Sequence, residues 1–182
     1  MPTTEGSRDG KGRGNMTDDL HTEHYETPFG WGTIRLAGDL PLALELPDRA
    51  LSPGAAGGSS RWRDLLEQYF AGEPVEFPLD VNGHCAALGC SRFETAVLAV
   101  LATVPYGRAV SYRDLAVAAG HPNACRAVGS VMARNELPVI LPCHRVIRND
   151  GALGRYGDDP AWKRTLLTME GFFERDLNGG ER

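Results

Sequence analysis

Several absences narrow what this 182-residue chain can be. No apolar run approaches the roughly 20 residues that a membrane-spanning helix needs, and no hydrophobic secretory segment begins the chain. The four cysteines are few and irregularly spaced, which argues against a disulfide framework. The sequence therefore predicts a cytoplasmic protein of one ordinary or two small domains, with no membrane partner.

Familiar cofactor and metal motifs are also missing. The chain has no phosphate-binding loop of Walker type. Its one Cys/His cluster, His84 to Cys90, has a spacing and ligand number that do not suit a closed zinc site, even with His21 or His24 added. We expect no cofactor and no metal.

The charge is mildly acidic and unevenly distributed. A net charge of −5 argues against a protein that binds nucleic acid over its whole surface. The segment from 121 to 149 is locally basic, and its charged residues are Arg126, Arg134, Glu136, Arg145 and Arg148. A basic face on an acidic body and a scatter of solvated arginines would both give this count.

The first half of the chain predicts a small α/β domain over residues 23–82. Residues 1–22 are polar and without periodicity, so we expect a disordered tail. Alternation between Tyr25 and Leu46 is typical of β-strands. An apolar stripe predicts a helix over Arg61–Phe70, which Gly72 would end.

The second half predicts a mainly α-helical domain over residues 91–175, after a linker at 83–90 and before a short tail at 176–182. Ser91 and Glu94 form a capping-box pattern at the start of a helix. A further helix begins at the Asp159-Pro160 cap and ends near Glu170.

Between these two helices the sequence has a helix-turn-helix outline. One short helix spans Ser111–Ala119, Gly120 closes it, and His121-Pro122 opens a second helix with Arg126 on its outer face. Many such helix corners bind nothing, so this outline alone is weak evidence for a DNA-binding unit.

The segment Pro142–Val146 is the most informative of the chain. It follows the apolar run Leu137–Leu141, which predicts a buried extended segment. A thiol becomes nucleophilic when it loses its proton, and the imidazole of His144 could take that proton from Cys143. An isolated Cys-His pair is more often a buried cysteine beside a surface histidine, so the surrounding motifs decide.

Those motifs identify a family resemblance. They are Val104-Pro105-Tyr106-Gly107, Ser111-Tyr112, Arg126-Ala127-Val128-Gly129, Arg134-Asn135 and Pro142-Cys143-His144-Arg145-Val146. In this order and spacing the chain resembles the O6-alkylguanine-DNA alkyltransferases, also called methylated-DNA–protein-cysteine methyltransferases. The resemblance is strong over about 91–171 and extends weakly to Tyr25–Gly30 and Tyr69–Gly72.

The resemblance implies a monomeric, self-consuming DNA repair protein with an α/β N-terminal domain and a winged helix-turn-helix-like unit in the C-terminal domain. Such a protein binds duplex DNA through the minor groove and flips O6-alkylguanine out of the stack. It then transfers the alkyl group once to its cysteine, here Cys143. The sequence leaves open whether O4-alkylthymine is a second lesion.

The resemblance also implies the catalytic roles. Cys143 would be the nucleophile, and His144 would accept its proton through a water. Glu170 would orient and charge-stabilise the imidazole. Tyr112 would donate to the guanine ring, and Asn135 would tie the recognition helix to the active-site segment.

For DNA binding, the resemblance implies that Arg126 fills the gap left by the flipped nucleotide. The small residues Ala127, Gly129 and Ser130 would let the helix approach the groove walls, and Tyr112 would help to rotate the phosphate. The implied base pocket is lined by Tyr106, Tyr112, Val146, Tyr156 and Gly157.

The sequence departs from the family pattern after the pocket tyrosine. Gly157 is followed by Asp158 and Asp159, where the family usually has a Gly-rich turn. Two carboxylates beside a DNA-facing pocket repel phosphate, so we expect weaker or more salt-sensitive DNA binding, or a different loop path.

Parts of the sequence are also compatible with two other functions. A non-catalytic lesion-binding module would have the same fold, but its signature cysteine is commonly replaced by Trp, and this chain keeps Cys143. A cysteine hydrolase could use Cys143, His144 and Glu170, although adjacent Cys and His are poor geometry for a papain-like pair and no oxyanion-hole motif is evident.

Overall fold

The N-terminal part is an antiparallel sheet of three strands. The computed structural model describes residues 19–53, 59–157 and 159–177. Strands β1 (Leu20–Thr27), β2 (Gly30–Ala37) and β3 (Leu40–Asp48) lie in that order and are joined by tight turns. Because β1 begins at Leu20, residues 20–22 belong to the sheet and the predicted tail boundary is wrong there; residues 1–18 lie outside the described part.

Helix α1 (Arg61–Phe70) packs on β1 and has the bounds that the sequence predicted. Ser60 caps it by accepting from the main-chain N–H of Arg63. The same hydroxyl donates to the buried carboxylate of Glu23 over 2.6 Å, so the start of α1 is fixed to the first strand. An N-terminal α/β part is therefore confirmed.

The predicted linker at 83–90 is largely helical, which corrects the sequence interpretation. Helix α2 (Val81–Leu88) ends at Gly89, whose φ of 70° lies in the left-handed region. It forms because Val81, His84 and Cys85 share one face that is buried in the core. Across the described ranges, no three His, Cys, Asp or Glu side chains are grouped so that they could hold a metal ion.

The C-terminal part is mainly helical, as predicted. Its elements are α3 (Arg92–Ala102), β4 (Val110–Ser111), α4 (Tyr112–Ala118), α5 (Cys125–Ala133), β5 (Val146–Ile147), α6 (Pro160–Met169) and α7 (Phe172–Leu177). The capping box of Ser91 and Glu94 and the cap by Asp159 are both present. Strands β4 and β5 pair in parallel and bring the start of α4 beside the segment that follows Cys143.

Two bounds in this part differ from the prediction. Helix α5 begins at Cys125 and not directly after His121-Pro122, because the N–H of Ala124 donates to the carbonyl of His121 in a turn. Helix α7 continues to Leu177, so residues 176 and 177 are helical where a tail was predicted; residues 178–182 lie outside the described part.

The two parts share a core and meet along β3 and α6. The N–H of Leu44 donates to the carbonyl of Glu136 over 2.7 Å. The ring of Phe29, in the β1–β2 turn, packs edge-on against Trp162 of α6 with centroids 5.6 Å apart. No helix in the described ranges is long and apolar enough to cross a membrane.

Candidate active site

Cys143 lies at the start of a single 3-10 turn, Cys143–Arg145, immediately before β5. Its side chain is buried and lines a cavity of about 930 Å³, which is within the size range of small-molecule sites. Five other residues predicted to form the site line the same cavity: Tyr112, Gly129, Asn135, Tyr156 and Gly157. The structure therefore brings six of the thirteen predicted site residues to one cavity.

The apolar run before the cysteine is folded differently from the prediction. Residues 137–141 form consecutive turns and not an extended segment, with the N–H of Leu141 donating to the carbonyl of Leu137 over 2.8 Å. Val139 has a φ of 73°, a strained conformation for a β-branched residue. Asn135 closes these turns: its side chain accepts from Leu137 N–H over 3.1 Å and donates to Leu141 over 2.8 Å.

Asn135 also contacts the nucleophile, since its amide nitrogen lies 3.0 Å from Cys143 Sγ. Burial raises the pKa of Cys143, while the amide of Asn135 and the charge of Lys163 oppose this effect. The thiol is therefore protonated at neutral pH in the free protein, and it needs a proton acceptor when it reacts.

His144 is fully buried, and its Nε2 lies 2.8 Å from Oε1 of Glu170. Burial lowers the pKa of His144, although Glu170 opposes the shift, so the imidazole is neutral at neutral pH. Against an ionised carboxylate, Nε2 is the nitrogen that carries the proton. The buried Nδ1, which has no hydrogen-bond partner among the described residues, is then free to accept one.

Glu170 is fixed at the C-cap of α6 by several donors. Arg145 donates to both carboxylate oxygens at 2.9–3.2 Å, and the N–H of Gly107 donates to Oε2 over 3.0 Å. Burial opposes ionisation of this carboxyl, but the hydrogen bonds from His144 and Arg145, together with the charge of Arg145, outweigh it and lower the pKa of Glu170 to about 2. The imidazole therefore faces a permanent negative charge.

Three residues of the site were missed by sequence reasoning. Tyr69 of α1 donates to Oε1 of Glu170 over 2.7 Å, Arg145 holds the same carboxylate, and Lys163 donates to the carbonyl of Val146 over 2.5 Å. Tyr69 was predicted to lie in the apolar stripe of its helix and falls in the weakly similar segment Tyr69–Gly72, but no role in the site was predicted for it. A lysine inside the apolar face of α6 was a usable signal, since a fully buried lysine is rare without a partner.

Two predicted pocket residues are placed elsewhere. Tyr106 does not line the cavity, because its ring packs against Tyr69 and its hydroxyl lies 3.2 Å from the carbonyl oxygen of Met169. Val146 is fully buried behind Cys143, and its carbonyl accepts from Lys163. The structure therefore does not support base-pocket roles for the side chains of Tyr106 and Val146.

Four of the five residues predicted to contact DNA lie together on α5, and the fifth, Tyr112, begins α4 and lines the cavity. Arg126, Ala127 and Ser130 are exposed, whereas Gly129 is half-buried and lines the cavity beside Cys143. The outer face of α5 is thus continuous with the mouth of the cavity.

The rim of the cavity carries charges of both signs. Arg148, Arg155 and Asp159 line it, and Asp159 is held in place because its carboxylate accepts from Ala161 N–H over 2.8 Å. Asp158, the other carboxylate that the sequence singled out, lies outside the described residues. Strand β3 also lines the cavity, with the apolar Leu44 and Leu46 and the charged Glu45.

The fold and the site together define a two-part protein. Its buried cysteine is followed in the sequence by a buried histidine and lies beside an exposed helix. Residues 92–172 match the family described as 6-O-methylguanine DNA methyltransferase, DNA binding domain. The methylated-DNA–protein-cysteine methyltransferase of Mycobacterium leprae is 33% identical over 157 residues, which are 83% of this chain and 92% of that protein. The chain belongs to the methylated-DNA–protein-cysteine methyltransferase family.

Solved structures agree with this assignment. The crystal structure of Mycobacterium tuberculosis O6-methylguanine methyltransferase is 32% identical, covers 83% of this chain and 92% of its own, and superposes with a TM-score of 0.67. The structure of Mycobacterium tuberculosis OGT in complex with DNA, also 32% identical, covers 83% of this chain and 93% of its own, with a TM-score of 0.66.

Proposed function

We propose that this protein repairs DNA by transferring the alkyl group of O6-alkylguanine in a duplex to its own Cys143, once per molecule. The observation that carries the proposal is the arrangement of three side chains: a buried thiol on a cavity wall, a neutral imidazole next to it in sequence, and an ionised carboxylate behind that imidazole. Family membership supports the same chemistry.

The proton and electron balance of the transfer is complete without a cofactor. The thiol proton passes to Nδ1 of His144, through a water as the family resemblance implies. The sulfur then attacks the alkyl carbon, the S–C bond forms as the C–O6 bond breaks, and the electron pair leaves with guanine. Tyr112 donates a hydrogen bond toward the ring, and guanine takes up one proton; the net source of this proton is the thiol proton held on His144, which is passed on through solvent, so that His144 and Tyr112 both end in their neutral forms. The product is a neutral guanine and an S-alkylcysteine.

DNA engagement follows from the position of α5. The α4–α5 pair acts as the winged helix-turn-helix-like unit and enters the minor groove with its exposed face. Arg126 occupies the gap in the stack, and the small side chains of Ala127 and Ser130 permit close approach. The alkylated base then enters the cavity, because its reacting carbon is out of reach of any thiol while it is stacked.

The cavity supports a base of this size with its alkyl substituent. Tyr112 and Tyr156 supply aromatic rings and hydroxyls, and the apolar Leu44, Leu46 and Met132 face the same space. The protein acts as a monomer. The carboxylate of Asp159 on the rim repels the phosphates of DNA, so we still expect DNA binding to be salt-sensitive. The positive charges of Arg148 and Arg155 partly offset this repulsion.

The experiment is a stoichiometric titration. A duplex with one O6-methylguanine is supplied in excess, and the amount of restored guanine per protein is measured over time. The proposal expects a rapid phase that ends at one guanine per protein, and no reaction with Cys143→Ala. Continued turnover would indicate a hydrolase, and tight lesion binding without restored guanine would indicate a non-catalytic binding module.

A further inference from the structure

The N-terminal part of the protein contacts the His144–Glu170 pair through the side chain of Tyr69. Resting on the proposed function, we propose that Tyr69 is a positioning residue for alkyl transfer: its hydroxyl holds the carboxylate of Glu170 against His144. Tyr69 belongs to α1, in a different part of the chain from the other site residues. The N-terminal part would therefore tune the activation of the thiol as well as contribute to the core.

The hydrogen-bond geometry gives the hydroxyl a defined task. Tyr69 is fully buried, and its oxygen lies 2.7 Å from Oε1 of Glu170 and 3.4 Å from Nε2 of His144. A hydroxyl can donate only one hydrogen bond, and here Tyr69 donates it to the ionised carboxylate of Glu170. The phenol oxygen therefore presents a lone pair toward Nε2, and both oxygens near Nε2 are acceptors. Nε2 must carry the proton, which leaves Nδ1 to act as the base.

The ring of Tyr69 is held rigidly enough to perform this task. It packs edge-on against Phe70 and Tyr106, with centroids 5.3 and 6.0 Å away, and obliquely against Phe77 at 6.0 Å. Burial raises the pKa of Tyr69 well above its ordinary value, and Glu170 raises it further. The phenol therefore keeps its proton over the whole working pH range and stays a donor.

The donors on Glu170 divide between its two oxygens. Oε2 is held by Gly107 and Arg145, whereas Oε1 is shared by His144, Arg145 and Tyr69. Without the hydroxyl of Tyr69, as in Tyr69→Phe, Oε1 accepts from fewer donors. It then attracts a proton on His144 more strongly. The imidazolium form gains stability, and the neutral base becomes scarcer at a given pH.

The test compares Tyr69→Phe with Tyr25→Phe. Tyr25 is a matched control because it is also a fully buried tyrosine of the N-terminal part, and its hydroxyl donates to a main-chain carbonyl, that of Glu45, over 2.7 Å. Each variant loses one hydroxyl and one hydrogen bond without a change of ring. Thermal unfolding, the affinity for lesion-bearing duplex and the single-turnover transfer rate are measured between pH 5 and 9.

The proposal expects Tyr69→Phe to lose about tenfold in transfer rate, the effect of one hydrogen bond to a charged group, with unchanged DNA affinity. The acidic limb of its rate profile moves to higher pH. Tyr25→Phe keeps the wild-type rate and profile although it unfolds earlier. If Tyr69→Phe also keeps the wild-type rate and pH profile while its melting temperature falls, Tyr69 has only a structural role and the proposal is overturned.

A second variant covers the case in which Tyr69→Phe does not fold. Site-specific 3-fluorotyrosine at position 69 keeps the hydroxyl and makes it a stronger hydrogen-bond donor. The acidic limb of the profile of transfer rate against pH should therefore move to lower pH, and a limb that does not move contradicts the proposal. The wild-type arm separates the two claims. If the wild-type protein transfers no alkyl group, the proposed function fails. If the wild type transfers it and the Tyr69 variants have the same rate and pH profile as the wild type, only the role of Tyr69 is overturned.

Discussion

The side-chain amide of Asn135 donates to the sulfur of Cys143 over 3.0 Å and to the carbonyl of Leu141 over 2.8 Å. One residue thereby joins the end of α5, which carries the side chains proposed to contact DNA, to the turn that carries the proposed nucleophile. Burial raises the pKa of this cysteine, and the amide is one of the groups that lower it. The contact thus links α5, the helix proposed to bind DNA, to the reactivity of the thiol.

Asn135→Ala should make the thiol less acidic. The thiolate loses a donor, and one hydrogen bond to a charged group corresponds to a change of about tenfold in the thiolate population. The pH dependence of Cys143 alkylation by iodoacetamide, followed by peptide mass spectrometry without DNA, measures this change. Asn82→Ala, at an exposed position on α2, is the control. A Cys143 pKa that is unchanged in folded Asn135→Ala would contradict the assigned role.

Arg145→Met should be strongly destabilising. The substitution leaves the ionised carboxylate of Glu170 buried without its main partner, and breaking a buried pair in this way costs about 3–5 kcal/mol. Urea denaturation measures the free energy of unfolding. Arg148→Met is the matched control, because Arg148 pairs with Asp150 on the surface and such pairs contribute at most about 1 kcal/mol. Equal losses in the two variants would refute this view of Glu170.

Acid should remove the stabilisation that Glu170 provides. Its pKa is about 2 in the folded protein, below the value of about 4.3 that is ordinary for an unfolded glutamate. A carboxyl with a lowered pKa stabilises the fold fully above the unfolded value and loses that contribution as pH falls toward the folded value. The wild type should therefore lose more stability than Glu170→Gln between pH 5 and 2, as measured by urea denaturation. Parallel curves would be evidence against the lowered pKa.

Arg126→Ala should separate DNA handling from thiol chemistry. Arg126 is exposed on α5 and makes no part of the histidine–carboxylate arrangement, so the reaction with free O6-benzylguanine should stay at the wild-type rate. The rate of transfer from a lesion-bearing duplex should fall at least tenfold. The number of counterions released on duplex binding, measured from its salt dependence, should fall by about one. Arg61→Ala, at an exposed arginine of α1, should change neither reaction. An equal loss on the free base would mean that Arg126 supports the fold.

Local patterns predicted the elements whose signals lie within a few residues. The stripe of α1 and the capping box of Ser91 and Glu94 specify helices without help from distant residues, and both predictions are confirmed. The helix in the supposed linker was missed because its composition, with Gly83 and no cap side-chain hydrogen bond, is poor for an isolated helix. Burial of His84 and Cys85 provides what local propensity lacks.

The site was predictable only in part. Family resemblance located Cys143, His144 and Glu170, and the structure brings the latter two within hydrogen-bond distance. Tyr69 was given no role in the site, because the resemblance is weak around it, its position in an apolar stripe indicates only packing, and it is 101 residues away from Glu170 in the sequence. The turns at 137–141 were mistaken for an extended segment because their conformation depends on the side chain of Asn135.

Peptide mass spectrometry after exposure to O6-methylguanine duplex tests the central claim most directly. The account predicts one added methyl group per molecule on the peptide that contains Cys143, with Cys85, Cys90 and Cys125 unmodified as internal controls. An unmodified Cys143 in folded protein after incubation with excess lesion, or methylation spread over the other cysteines, would contradict it.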